Sequence, residues 1–196
     1  NMDNAMFARM LGPTMNYSCG YWKNAGTLDE AQRNKMELIC RKLELQEGMS
    51  VLDNRVRLGR PFLIYGQRIR GEKSLGSRFL RNSLPMPGSM TPGISSIGCW
   101  KIDRSLKGQF DRIVSVGMFE HVGRKNYDIF MKTTKRLLKP SGLFLLHTIG
   151  NSKKKTGTDP WINKYIFPNG MLPSPVCVAK AITGRYVMED WHNFGA

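Results

Sequence analysis

The chain has 196 residues, 41% hydrophobic and 23% charged, with 30 Lys and Arg against 15 Asp and Glu for a net charge of +15. That length allows one domain with a real apolar core, and no run of about 18 apolar residues offers a membrane span. The charge would ordinarily suggest nucleic acid or an anionic surface, but residues 54–104 carry ten Lys and Arg against two acids, a net +8. The excess belongs mostly to one segment, which argues against a nucleic-acid partner.

Asn1-Met2-Asp3-Asn4 shows no basic stretch followed by an apolar one, so no signal peptide is expected. The opening on Asn and the ending at Phe194-Gly195-Ala196 predict a piece of a longer protein. Cys19, Cys40, Cys99 and Cys177 are dispersed, without the spacing of a zinc site, and read as thiols in a reducing cytoplasm; no metal is expected.

In chain order, Thr27-Leu28-Asp29-Glu30 reads as a capping box. Met36, Ile39, Cys40 and Leu43 follow on one helical face, with Gly48 as the expected stop. Residues 49–53 read as a short strand ending in Asp53. Residues 110–117 read as a second, buried strand. Tyr127, Phe130, Met131 and Leu138 mark a helix expected to run to Lys139, ended by Pro140 and Gly142. Residues 143–147 read as a third strand, closing on His147. Strands alternating with helices predict a parallel sheet covered on both faces. Residues 54–104 break the pattern, being rich in Arg, Gly, Ser and Pro, and residues 83–96 offer no credible helix or strand.

Five ordered blocks carry a resemblance. They are Met15 to Trp22 (MNYSCGYW), Phe110 to Gly123 with its run VGMFEHVG, Leu146 to Gly150 (LHTIG), Asp159 to Gly170 (DPWINKYIFPNG) and Glu189 to Gly195 (EDWHNFG). Over residues 1–53 and 105–196 the chain resembles the bacterial cyclopropane-fatty-acyl-phospholipid synthase family, whose relatives modify mycolic acids. The resemblance implies a Rossmann-like α/β methyltransferase core. It also implies transfer of a methyl(ene) group from S-adenosylmethionine to the cis double bond of unsaturated phospholipid acyl chains, forming cyclopropane fatty acids. The enzyme would be cytoplasmic and peripheral at the inner membrane surface; a homodimer stays open.

After Asp53 the family continues I-G-C-G-W-G-G, a turn whose glycines let the backbone approach the cofactor and open a helix. Here Asn54-Arg55-Val56-Arg57-Leu58-Gly59-Arg60-Pro61-Phe62 follows instead. A shifted reading frame accounts for this. D-I-G-C-G-W-G-G-L-S can be written GAT ATC GGG TGC GGT TGG GGA GGC CTT TCC. One A inserted after the fourth base turns it into the residues from Asp53 to Phe62. The same shift recovers M-A-K-E-Y-G-V-K across residues 65–73, a second base recovers V-T-G-V-T-I-S-K-E-Q-L-A-Y-A-R-E-H across 73–90, and a third near Asp103 restores the frame. Residues 54–104 are therefore expected to be poorly ordered. The contrary reading, a genuine basic insertion facing lipid or nucleic acid, would leave the glycine turn intact elsewhere, and none is present.

The reaction the resemblance implies needs a base beside an apolar tunnel and anionic groups that tolerate developing positive charge. In the family the base is a bicarbonate ion. Its ligands correspond here to Cys19 (through backbone), Glu120, His147 and Ile149 (through backbone), with Gly117 alongside and a further tyrosine beyond residue 196. Tyr17 and Ser18 correspond to residues near the cofactor's methionine end, and Asp53 belongs to the cofactor loop. Taken without the resemblance, Glu120 reads equally as a helix-start acid, His147 as a core histidine, and Tyr17 and Ser18 as the edge of an aromatic core beside Tyr21 and Trp22. Lys153 to Lys155 with Trp161, Ile162, Tyr165, Ile166 and Phe167 would suit an anionic bilayer, or a solvated loop beside a core strand. A non-catalytic remnant that binds lipid or anions is the rival function.

Overall fold

The computed structural model describes residues 4–12, 16–46, 49–55, 96–98, 107–152, 159–167 and 170–194. Among them are five helices, α1 (Asn4–Leu11), α2 (Leu28–Lys42), α3 (Tyr127–Leu137), α4 (Pro160–Tyr165) and α5 (Pro175–Ile182), and four strands, β1 (Val51–Arg55), β2 (Ser96–Gly98), β3 (Phe110–Val116) and β4 (Leu138–His147). The strands form one parallel sheet in the order β2-β1-β3-β4. Of the segment read as irregular, Asn54 and Arg55 extend β1 and Ser96–Gly98 forms β2; residues 56–95 and 99–106 lie outside the described residues.

The expected capping box starts α2. Thr27 Oγ1 accepts from the Glu30 N–H at 3.3 Å, and the Glu30 carboxylate accepts from the Thr27 and Gly26 N–H groups at 3.1 and 2.8 Å. Those backbone donors hold the Glu30 carboxyl below its usual pKa. The helix ends at Lys42, where Glu44 takes a left-handed φ of +46°. Gly48, the expected stop, lies outside the described residues. The buried face of α2 (Met36, Ile39, Cys40) packs on Val51, Val114 and Val116. Alternation puts Leu52 and Ile113 on the opposite face, with Phe110, Leu137 and Leu138. There α3 and α5 cover the sheet through Phe130, Met131, Val178 and Ala181.

The junction of α3 and β4 departs from the sequence reading. The helix stops at Leu137, and Leu138, Lys139 and Pro140 already belong to β4. Leu138 pairs with Phe110 in a buried cluster, and a register irregularity between Phe110 and Arg112 accommodates Pro140 where the ladder is interrupted. Gly142 permits the crossing. A Cβ there would lie 2.6 Å from the Leu138 side chain and 2.9 Å from the Asp111 carbonyl oxygen.

Asp111 ties the bottom of the sheet together. Its carboxylate accepts from Lys139 Nζ at 2.8 Å and from the Ser50 N–H and hydroxyl at 2.8 and 2.7 Å. The Lys139 ammonium first, then the Ser50 N–H, hold this carboxyl far below the usual carboxylate range. A depressed folded-state pKa stabilises above the unfolded value, near 4, and that stability is lost as pH falls through the folded value. Asp111→Asn should therefore cost about 1–2 kcal/mol at neutral pH, a figure discounted because Lys139 is partly exposed. The gap between variant and parent should begin to shrink below about pH 4 and keep shrinking as pH falls further. Urea midpoints measured across pH 2–7 check this, and an equal gap at both ends would contradict it.

Candidate functional site

The parallel ladder brings the carboxyl ends of β1, β3 and β4 side by side, pairing Arg55 with Val116 and Val116 with His147. Ligands of open α/β sheets bind at this edge. Gly117 follows β3 with φ +62°, a left-handed conformation open to glycine at little cost, and its N–H donates to the His147 carbonyl at 3.0 Å. The chain then makes a 3-10 turn, Phe119–His121, which drops Glu120 against the end of β4.

Glu120 is 6% exposed. Its Oε1 accepts from the Ile149 N–H at 2.6 Å, and its backbone carbonyl accepts from the Met171 N–H at 2.8 Å. Its second oxygen, Oε2, is buried with no hydrogen-bond partner among the described residues. His147 Nδ1 is likewise buried and unpartnered, with the ring 5.1 Å from that of Phe194. Burial first, then the positive charge of Lys35, push the His147 pKa down to about 4, so the imidazole is neutral at physiological pH. Lys35, from α2, is fully buried and donates to Ser18 Oγ at 2.7 Å. Gln32 donates to the Ser18 carbonyl at 2.8 Å. The Ser18 Cβ lies 3.7 Å from where a Cβ on Gly117 would be.

The structure thus gathers Gly117, Glu120, His147 and Ile149, with Ser18 beside them. Tyr17 is more loosely joined: its exposed ring lies 6.0 Å from Phe167, which stands edge-on to His121. Asp53 is buried on β1 opposite Val114, and the Cys19 residue is exposed. The Ile149 N–H donates to Glu120, and the Ile149 side chain is exposed. Tyr21, expected at an aromatic core edge, packs on His192 and Phe194, whereas Trp22 is exposed. Sequence reasoning missed Gln32 and Lys35. Their signal was available, since both fall on the helical face of Ala31, Met36 and Ile39, where polar side chains need a buried partner.

A parallel sheet covered by helices, with a buried carboxylate and a largely buried imidazole at its carboxyl edge, defines the class: a Rossmann-like α/β core. Comparison with known proteins narrows it. Residues 1–59 and 100–196 match the family described as mycolic acid cyclopropane synthetase, and the chain belongs to that family. It is 48% identical over 197 residues to the cyclopropane-fatty-acyl-phospholipid synthase of Escherichia coli K12, covering 100% of this chain and 51% of that protein. It is 31% identical to cyclopropane mycolic acid synthase 1 of Mycobacterium tuberculosis, over 89% of this chain and 67% of that one. Among solved structures, mycolic acid cyclopropane synthase CmaA1 complexed with SAH and CTAB superposes with a TM-score of 0.62 at 28% identity, covering 92% of this chain and 70% of that one. The cyclopropane synthase MmaA2 from Mycobacterium tuberculosis gives 0.63 at 25%, covering 92% and 69%. The chain spans about half the length of the Escherichia coli relative.

Proposed function

We propose that this chain is part of an enzyme that transfers a methyl(ene) group from S-adenosylmethionine to the cis double bond of unsaturated phospholipid acyl chains. We further propose that the chain as written is impaired. The observation that carries the first reading is the Glu120 carboxylate, held at one oxygen by Ile149, together with the neutral imidazole of His147 two residues before Ile149; Glu120 Oε2 and His147 Nδ1 are both buried without a partner among the described residues. A small guest bearing both a hydroxyl donor and acceptor oxygens, as bicarbonate does, fits that pair. Glu120 Oε2 would be available to accept from such a guest, and His147 Nδ1 would offer a donor or an acceptor according to tautomer. Bound there, bicarbonate would supply the base for the proton lost on ring closure, and S-adenosylmethionine the methyl group.

The residues for S-adenosylmethionine fit only in part. By resemblance Tyr17 and Ser18 correspond to the family's residues near the cofactor's methionine end, and Ser18 is secured by Lys35 and Gln32. At the other side β1 continues through Asn54 and Arg55 in place of the glycine turn. Arg55 pairs with Val116 in the ladder where the family's turn would bring glycine backbone close to the cofactor. Two observations support a shifted frame across 54–104. The family match lapses between residues 59 and 100, and Asn54, where the family has Ile, is fully buried with neither amide atom partnered. Impairment rests on this frame reading.

The lipid surface is assigned to α4. Trp161 is 60% exposed, with Ile162 and Tyr165 exposed along the helix, Ile166 exposed just after it, and Lys164 Nζ 4.9 Å from the Tyr165 ring centroid. Exposed aromatics with an adjacent cation suit the interface of an anionic membrane. Among the described residues no helix is long and apolar enough to cross one.

Two measurements test the proposal. Calorimetric titration of the chain as written with S-adenosylmethionine should show no binding at micromolar concentrations; micromolar affinity would refute the impairment. Deleting the three extra bases, and extending the chain to its relatives' full length, should restore both cofactor binding and labelled-methyl transfer into unsaturated phospholipid vesicles. A repaired, folded protein that binds cofactor but transfers nothing would sink the enzymatic reading, and one that binds no cofactor would sink the frame reading.

A further inference from the structure

Two buried polar atoms close to the site have no partner among the described residues, and their chemistry is complementary. One is Glu120 Oε2. The other is the hydroxyl of Tyr127, which opens α3 with its ring 5% exposed. A phenol donates and an ionised carboxylate only accepts, and leaving either unmade in an apolar surround is costly. The ring cannot wander, because it stacks on Phe119 with centroids 4.1 Å apart and planes 18° from parallel. Phe119 is the immediate neighbour of Glu120, so the stack ties the phenol to the turn that carries the carboxylate. Burial, then the charges of Cys177 and Glu120, push the Tyr127 pKa up to about 12, which keeps the hydroxyl protonated and within electrostatic reach of both groups.

We propose that Tyr127 is a positioning residue for Glu120, its hydroxyl linked to Oε2 through one buried water. The carboxylate is then gripped at both oxygens, by a backbone N–H after β4 and, through the water, by a phenol from the first turn of α3. Each carboxylate oxygen accepts two hydrogen bonds, so the grip leaves a lone pair of Oε2 for a guest. What the grip is for rests on the reading of Glu120 given above; the grip itself does not.

The competing partner is Cys177, whose thiol receives the Ser174 hydroxyl at 3.3 Å and also bears on the phenol. A double-mutant cycle on the full chain separates the two by urea unfolding. Tyr127→Phe should raise the unfolding constant about ten- to a hundredfold, the scale for a hydrogen bond to a charged group. That loss should vanish in a Glu120→Ala background and persist in Cys177→Ala. An equal loss beside Glu120→Ala, a loss that vanishes only with Cys177→Ala, or no loss at all would each overturn the proposal. Should Glu120→Ala fail to fold, the carboxyl carbon-13 resonance of Glu120, assigned through Glu120→Gln, replaces it. The resonance should move in Tyr127→Phe and stay put in Cys177→Ala, and an unmoved resonance in Tyr127→Phe overturns the proposal. Neither readout needs turnover, so failure here leaves the enzymatic reading standing, and failure of methyl transfer leaves this coupling standing.

Discussion

Glu120→Gln, in the repaired and extended enzyme, lowers methyl transfer into unsaturated phospholipid about 10²–10⁴-fold, the usual scale for disabling acid–base chemistry, while cofactor affinity changes little. Glutamine matches glutamate in shape, so the effect isolates charge and hydrogen-bond polarity. The Ile149 N–H at 2.6 Å requires an acceptor and fixes the amide oxygen toward itself. The amide nitrogen then occupies the place of Oε2, and a buried acceptor becomes a buried donor. A guest hydroxyl that Oε2 would accept now faces N–H groups, and the negative charge that helps orient it is gone. Labelled-methyl transfer by both proteins, beside calorimetric titration with S-adenosylmethionine, gives the answer. Full activity in the variant would remove Glu120 from the chemistry and return it to the role of a helix-start acid.

Asn54→Ile in the chain as written should stabilise it by about 2–4 kcal/mol. Asn54 is 0% exposed at the fourth position of β1, and both its amide nitrogen and oxygen lack partners among the described residues. Each such atom costs about 1–3 kcal/mol, and a β-branched apolar side chain suits a buried central strand. Alternation puts residue 54 on the sheet face of Leu52 and Ile113, beside its ladder neighbour Ser115, so isoleucine would extend an existing cluster. The shifted frame predicts isoleucine at this position. Urea midpoints of the parent, Asn54→Ile and Asn54→Ala decide the matter. The isoleucine variant should exceed the alanine one, and a midpoint unchanged from the parent would show that Asn54 is satisfied in solution. Repair of the full segment would be needed for cofactor binding even so, since β1 would still continue through residue 55 in place of the glycine turn.

Much of the scaffold was legible because it is set by short-range chemistry. The Thr27–Glu30 capping box lies within four residues, and its reciprocal bonds form as the sequence predicts. The apolar run of residues 110–117 could only be a buried strand of a covered parallel sheet, and it lies between β1 and β4. The family blocks identified Glu120 and His147 by their neighbours along the chain, which needs no geometry. The end of α3 was not legible, because Pro140 and Gly142 are the residues that normally stop a helix. The pairing of Leu138 with Phe110 and the grasp of Lys139 on Asp111, partners 28 residues apart in the chain, pull that segment into the sheet first.

The carboxylate's surroundings were decided by tertiary structure alone. Nothing local predicts that the Ile149 N–H is spent on Glu120, that Lys35 is fully buried against Ser18, or that the Tyr127 hydroxyl is buried with no partner among the described residues. Residue types and family membership follow from the order of the chain. Which oxygen is held, which is left open, and the burial that with the Lys35 charge keeps His147 neutral follow from long-range packing, because a buried polar atom's energy depends on the few atoms that finally surround it.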